Sequence, residues 1–211
     1  MHPRIFTEFE RLCRRYGAGG DVLEIGAVPR PDTLLCLRAL TGARSKVGVN
    51  ISAPCRHADF EIVRADANDL AAFSDRSFDT ILCNATLEHD RFFWKTLAEI
   101  RRVGKPGAVV MIGVPGFDRL GLGSLKGPLA WLARAGWLGR LRLAEAWRLS
   151  TVTLAVHAHP LDFYRFSPDA VREVFMAGME DVLVRRLMIP PRVIGAGRLP
   201  QRFNGSPRPT R

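Results

Sequence analysis

Apolar residues recur at three- and four-residue intervals near the start of the chain, at Phe6, Phe9, Leu12, Cys13 and Tyr16. That spacing lays one stripe along a helix, and Gly17 ends it. The period then changes. Asp21-Val-Leu-Glu-Ile25 is a short β-like run that stops at Gly26. Pro29 and Pro31 mark a loop, and Asp32 or Thr33 is placed to cap a helix over residues 34–40, ended by Gly42. Further strands are expected over 46–51, 60–65, 77–84 and 108–114, with a helix over 91–102 between the last two. Strands that are continuous apolar runs, alternating with helices, belong in a parallel sheet covered on both faces. The pattern predicts a doubly wound α/β domain.

Beyond Gly116 the pattern breaks. Residues 119–150 are rich in Leu, Arg and Trp (Trp131, Trp137, Trp147) and read as a helical insert. The α/β pattern resumes with a helix over 167–179, where Ser167 caps and Pro168 takes the first helical position. A strand over 181–189 follows. From Pro190 onward Pro, Gly and Arg dominate. The expected organisation is one domain over 1–191, with 119–150 as a lid, and a flexible basic tail over 192–211.

Composition changes the picture at one point, the charge. The chain has 211 residues and 31 Lys+Arg against 21 Asp+Glu, a formal +10, which first suggests a nucleic-acid partner. Its distribution argues otherwise. Residues 16–118 are close to neutral, while the excess sits in 119–150 and 192–211. The half of the chain that carries the α/β pattern has no need of a polyanion. Cys13, Cys36, Cys55 and Cys83 contain no CxxC pair, so neither a zinc site nor a compact disulfide framework is expected, and the chain reads as a cytoplasmic protein with free thiols. No uncharged stretch is long enough to span a bilayer.

In a doubly wound sheet, ligands sit at the carboxyl ends of the strands near the topological switch. That points to residues 24–30, 48–52, 66–67 and 84–90. An acid leaving the first strand, a glycine and a polar residue ending the second strand suit a nucleoside. A dinucleotide fingerprint would need G-x-G-x-x-G, whereas Gly26-Ala-Val-Pro-Arg-Pro has one glycine of the three. Val28 and Pro29 would crowd a pyrophosphate, and proline removes a donor. No G-x-x-x-x-G-K-[ST] occurs.

Six pieces then fall in order: Val22-Leu-Glu-Ile-Gly26, Asp66-Ala-Asn-Asp-Leu70, Phe78-Asp-Thr-Ile-Leu82, Leu87-Glu-His89, Leu97-Ala-Glu-Ile-Arg-Arg-Val103 and Lys105-Pro-Gly107. Together they resemble the class I S-adenosylmethionine-dependent methyltransferases, of the methyltransferase type 11 kind, over nearly half the chain. His159-Pro-Leu-Asp-Phe-Tyr-Arg-Phe-Ser-Pro168 is similar to a segment of the same group. The resemblance implies a Rossmann-like, seven-stranded-type, mostly parallel sheet with helices on both faces. It also implies S-adenosylmethionine as cofactor, held by Glu24 and Gly26 at its methionine end, Asn50 at the ribose, and Asp66 and Ala67 at the adenine. Asn84 to Leu87 would line the turn below the methyl. Two departures stand out: Val28 and Arg30 replace the usual glycines, and Asn50 replaces an acid. Asn keeps a donor and an acceptor for a hydroxyl but loses the charge-assisted bond.

The implied activity is methyl transfer to an oxygen or nitrogen of a small-molecule or glycan-type acceptor, including a lipid-linked one, with no metal. A base for a hydroxyl acceptor would come from His89, His159 or Tyr164, with Asp90, His157 and Asp162 nearby. Residues 119–150 join Trp and Leu to Arg134, Arg140, Arg142 and Arg148. They read as a lid over the acceptor or as a helix lying on a membrane surface. The other readings are a non-catalytic cofactor-binding or interaction protein on the same fold, and an RNA methyltransferase.

Overall fold

The computed structural model describes residues 1–52, 54–57, 59–119, 151–154 and 161–201. The chain opens with α1 (Pro3–Tyr16), capped by His2 and closed by Gly17 in the left-handed region at φ +58°. β1 (Asp21–Ile25) follows, then two 3-10 turns, Leu34–Cys36 and Arg38–Leu40. β2 (Ser45–Asn50), β3 (Cys55–His57), β4 (Phe60–Arg64) and β5 (Phe78–Asn84) come next, then α2 (Phe93–Val103) and β6 (Gly104–Pro115). β7 (Phe117–Arg119) and β8 (Thr151–Thr153) form a separate antiparallel pair. α3 (Pro168–Ala170) runs into a π turn (Val171–Phe175), and β9 (Glu180–Leu187) and β10 (Arg192–Arg198) complete the order.

The main sheet has eight strands in the order β3-β4-β2-β1-β5-β6-β10-β9. The five-strand centre from β4 to β6 is parallel, and β10 lies antiparallel between β6 and β9. This is the expected doubly wound α/β architecture, with β3 added along one edge. Strand order reverses at β1, whose neighbours are β2 on one side and β5 on the other. Their carboxyl ends therefore part to form a crevice.

Successive residues of each strand point to opposite faces, and each face is buried under different elements. Leu23, Ile25, Ile81, Cys83, Val110 and Ile112 pack beneath Leu97, Ile100 and Val103 of α2 and Val171 and Phe175 of the π turn. Val22, Leu82, Met111, Ile194 and Ala196 pack beneath Phe9, Leu12 and Tyr16 of α1 and the leucines of the 3-10 turns. Each fully buried Leu or Phe adds roughly 1.5–3 kcal/mol.

Three expectations need correction. The helix expected over 34–40 is two 3-10 turns joined by Leu37 in extended backbone (ψ 135°). Leu34, Leu35, Leu37 and Leu40 are all buried, which one face of an α-helix could not provide. Residues 192–198, expected to open the tail, are instead β10, paired on both sides. The helix expected over 167–179 starts where foreseen, with the Ser167 hydroxyl accepting from Ala170 N (2.9 Å), but passes into the π turn after Ala170. The insert over 119–150, apart from Arg119, and residues 202–211 lie outside the described residues.

Candidate functional site

At the end of β1, Gly26 adopts φ +79°, and an added Cβ would lie 2.0 Å from Thr86 Oγ1. Glycine is required there twice, by backbone conformation and by close approach of the β5 loop. Gly26 N and Ala27 N both donate to Val49 O (2.9 and 3.1 Å). Glu24 shares a face with Val22 rather than with Leu23. Its carboxylate is buried and accepts from Thr33 Oγ1 (2.7 Å), Leu34 N (3.2 Å) and Leu35 N (3.0 Å). Burial pushes its pKa up, and the three donors pull the other way. The Glu24 carboxylate, implied at the methionine end of a cofactor, is here bonded to the turn over 33–35. It captures the amides that would have opened the helix expected at 34–40.

At the end of β2, Asn50 Nδ2 donates to Ala27 O (2.8 Å) and Asn50 Oδ1 accepts from Ser52 N (3.1 Å). One amide hydrogen and one lone pair are left over for a ligand. At the end of β4, Asp66 is exposed, and its Oδ1 accepts from Asn68 N (2.9 Å) and Asn68 Nδ2 (3.2 Å). Ala67 packs against the core. Asn68 Nδ2 also donates to Asp90 Oδ1 (2.9 Å), and Asn68 Oδ1 is buried and without a donor among the described residues. An orphaned acceptor beside Asp66 and Ala67 suits the amino group of an adenine. Asp90 is not a free base, because it accepts from Phe92 N (2.8 Å) and Thr96 Oγ1 (2.7 Å) at the start of α2.

At the end of β5, the half-buried Asn84 lies over Gly113, where a Cβ would come within 2.4 Å of Asn84 Oδ1. Ala85 takes a positive φ of 53°, and its N donates to Gly113 O (2.9 Å). Thr86 Oγ1 spans back toward Ile25 O (3.3 Å), and Leu87 is fully buried in the core. The ends of β1, β2, β4 and β5 thus bring Gly26, Asn50, Asp66, Ala67 and Asn84 to one edge of the sheet.

The candidate bases divide. His89 Nδ1 lies 2.7 Å from Leu161 O. The Tyr164 hydroxyl donates to Arg91 O (2.9 Å), and its ring packs edge-on to Phe93 at 5.2 Å. Tyr164 thus packs in the aromatic cluster between α2 and Phe166. His157 and His159 lie outside the described residues. The sequence reading passed over three residues. Glu88, between Leu87 and His89, is fully buried, with neither carboxylate oxygen hydrogen-bonded among the described residues. Arg192 opens β10, with Nη1 3.7 Å from Glu88 Oε1. Asn68 is the third. For Glu88 and Asn68 the signal was present, a carboxylate and an amide inside the matched motifs; Arg192 was hidden in the stretch read as tail.

The methyltransferase domain family matches residues 34–112. Among solved structures, the chain is similar to the 1,6-didemethyltoxoflavin-N1-methyltransferase of Burkholderia thailandensis, crystallised with 1,6-didemethyltoxoflavin and S-adenosylhomocysteine. That likeness is 19% identical with a TM-score of 0.60, and covers 92% of this chain and 78% of that one. It is also similar to phosphoethanolamine N-methyltransferase 2 of Haemonchus contortus in complex with S-adenosyl-L-methionine (13% identity, TM-score 0.59, 92% of this chain and 53% of that one). An S-adenosylmethionine-dependent methyltransferase of Archaeoglobus fulgidus is 12% identical, with a TM-score of 0.58 and 92% of each chain covered. No curated protein matches. The chain has the class I methyltransferase fold and carries, over 34–112, the match to the methyltransferase domain.

Proposed function

We propose that the protein holds S-adenosylmethionine across the carboxyl ends of β1, β2, β4 and β5 and transfers its methyl group to an oxygen or nitrogen of a small-molecule or glycan-type acceptor. One observation carries the reading. The residues matched to the methyltransferase domain, 34–112, contain Asn50, Asp66, Asn68 and Asn84, and the fold sets these at consecutive strand ends beside the switch point at β1. When bound, the cofactor supplies a methyl group already activated by a positive sulfur.

The chain's own residues do the rest. Asn68 Oδ1 is the ready acceptor for the adenine amino group, with Asp66 beside it. Asn50, fixed by Ala27 O and Ser52 N, offers its remaining hydrogen and lone pair to the ribose hydroxyls. Gly26 lets the β1 loop close on Thr86. Holding an acceptor in line with an activated methyl is a proximity effect that contributes about 7–11 kcal/mol in favourable cases.

Isothermal titration calorimetry with S-adenosylmethionine and with NAD tests the cofactor. S-adenosylmethionine is expected to bind and NAD is not; the reverse result overturns the proposal. Asn68→Ala and Asp66→Ala should each weaken binding by roughly ten-fold, about 1.4 kcal/mol, and an unaltered affinity removes that residue from the site. Binding with no transfer of labelled methyl to a broad acceptor panel would favour a cofactor-binding protein without turnover.

A further inference from the structure

Four charged side chains meet under the segment that leads into Phe166. Asp162 and Arg165 form a closed pair, with Arg165 Nη2 donating to Asp162 Oδ2 (2.6 Å) and a second bond alongside. Glu88 and Arg192 form an open one. They stand 3.7 Å apart, beyond hydrogen-bond reach, and Glu88 Oε1, Glu88 Oε2 and Arg192 Nη1 are all buried without a hydrogen-bond partner among the described residues. Ionised groups in a low-dielectric interior are costly unless hydrogen-bonded. Here two complementary charges face each other and remain unbonded.

Their position adds to the argument. Glu88 lies four residues past the end of β5, and its carbonyl accepts from Phe163 N (2.8 Å) and Tyr164 N (3.3 Å). Arg192 pairs with Pro115 at the carboxyl end of β6. Both therefore sit at the ligand-binding edge of the sheet, on the β5–β6 side of the crevice, away from the adenine residues Asp66 and Asn68.

From this geometry we infer that Glu88 and Arg192 form the subsite for a neutral hydroxyl group of the methyl acceptor, the hydroxyl donating to Glu88 and accepting from Arg192. A hydroxyl oxygen about 2.8 Å from each atom would span a separation of 3.7 Å. The two charges also select. An ammonium would meet Arg192 and an anion would meet Glu88, so each loses on one side what it gains on the other. The inference rests on the methyltransferase reading and sharpens it, favouring a hydroxyl-bearing acceptor over a charged amine.

Saturation-transfer NMR on the full-length protein saturated with S-adenosylhomocysteine tests it, using benzyl alcohol, benzylammonium and benzoate as probes of one shape and three charges. The wild type should bind benzyl alcohol at least ten-fold more tightly than either charged probe. Glu88→Gln should shift the preference to benzoate, because Arg192 then faces no carboxylate across the gap, and Arg192→Met should shift it to benzylammonium. A pair that only supports the fold would not exchange selectivity in this way. Each variant is compared with the wild type for S-adenosylhomocysteine affinity by calorimetry, which should stay within two-fold and shows that the variant is folded. If that affinity holds and the preferences do not change, or if no probe binds the wild type, the subsite is refuted and the cofactor reading stands. If the wild type fails to bind S-adenosylhomocysteine, both fall. Arg192→Lys, which keeps the charge, should retain the preference for the alcohol.

Discussion

Gly26 and Glu24, two residues apart, show how much of a site a motif can convey. That Gly26 must be glycine was legible from its place after a strand. The reason is a φ of +79° and the Thr86 side chain packed against its Cα. Gly26→Ala combines backbone strain with a clash and should cost about 2–4 kcal/mol, read as a lower urea midpoint with an unchanged slope. Glu24 was legible as chemistry but not as direction. A strand motif gives the residue, while the face it turns to depends on what covers the sheet. The Glu24 carboxylate turns inward to Thr33, Leu34 and Leu35. Glu24→Ala would leave three buried donors unpaired, at about 1–3 kcal/mol each. It should lower stability far more than it lowers the affinity for S-adenosylmethionine in whatever fraction stays folded. A cofactor ligand would show the opposite balance.

Elements were most legible where a single period ran unbroken. α1, β1 and β5 appear within a residue or two of expectation because each is a clean stripe or run between glycine or loop boundaries. The 3-10 turns at 34–40 were misread because consecutive leucines satisfy a helical template. What decides the conformation is a carboxylate ten residues upstream that takes the amides of Leu34 and Leu35. β10 was missed for the opposite reason. Gly195 and Gly197, following Pro190 and Pro191, look like punctuation. In the sheet Gly195 is a packing residue, where an added Cβ would lie 2.6 Å from Val171 Cγ1 and 3.2 Å from Met176. Gly195→Val would wedge the π turn off the sheet. The expected result is a loss of about 1–3 kcal/mol, measured as a drop in thermal midpoint.

For the molecule as a whole, the basic excess at first suggested a polyanion partner, yet the charges that matter most are few and buried. Burial pushes the Glu88 carboxyl up, with Asp162 adding to the shift and His89 and Arg192 opposing it. A folded-state pKa above the unfolded value gives stability that is complete below the ordinary carboxylate range and is lost as pH rises through the raised value. As pH rises through and above the ordinary carboxylate range, the thermal midpoint of the wild type should therefore fall relative to that of Glu88→Gln. A constant difference across that range would mean that Glu88 titrates normally. The placement of β10 has a consequence in time. β6 is bonded on its far side by residues 192–198, the last strand of the sheet. At about 5–20 residues per second, the chain between residues 115 and 192 takes roughly 4–15 s to synthesise. Throughout that interval the apolar edge of β6 is open on the ribosome, which makes the nascent chain a natural client for chaperones that shield unpaired strands.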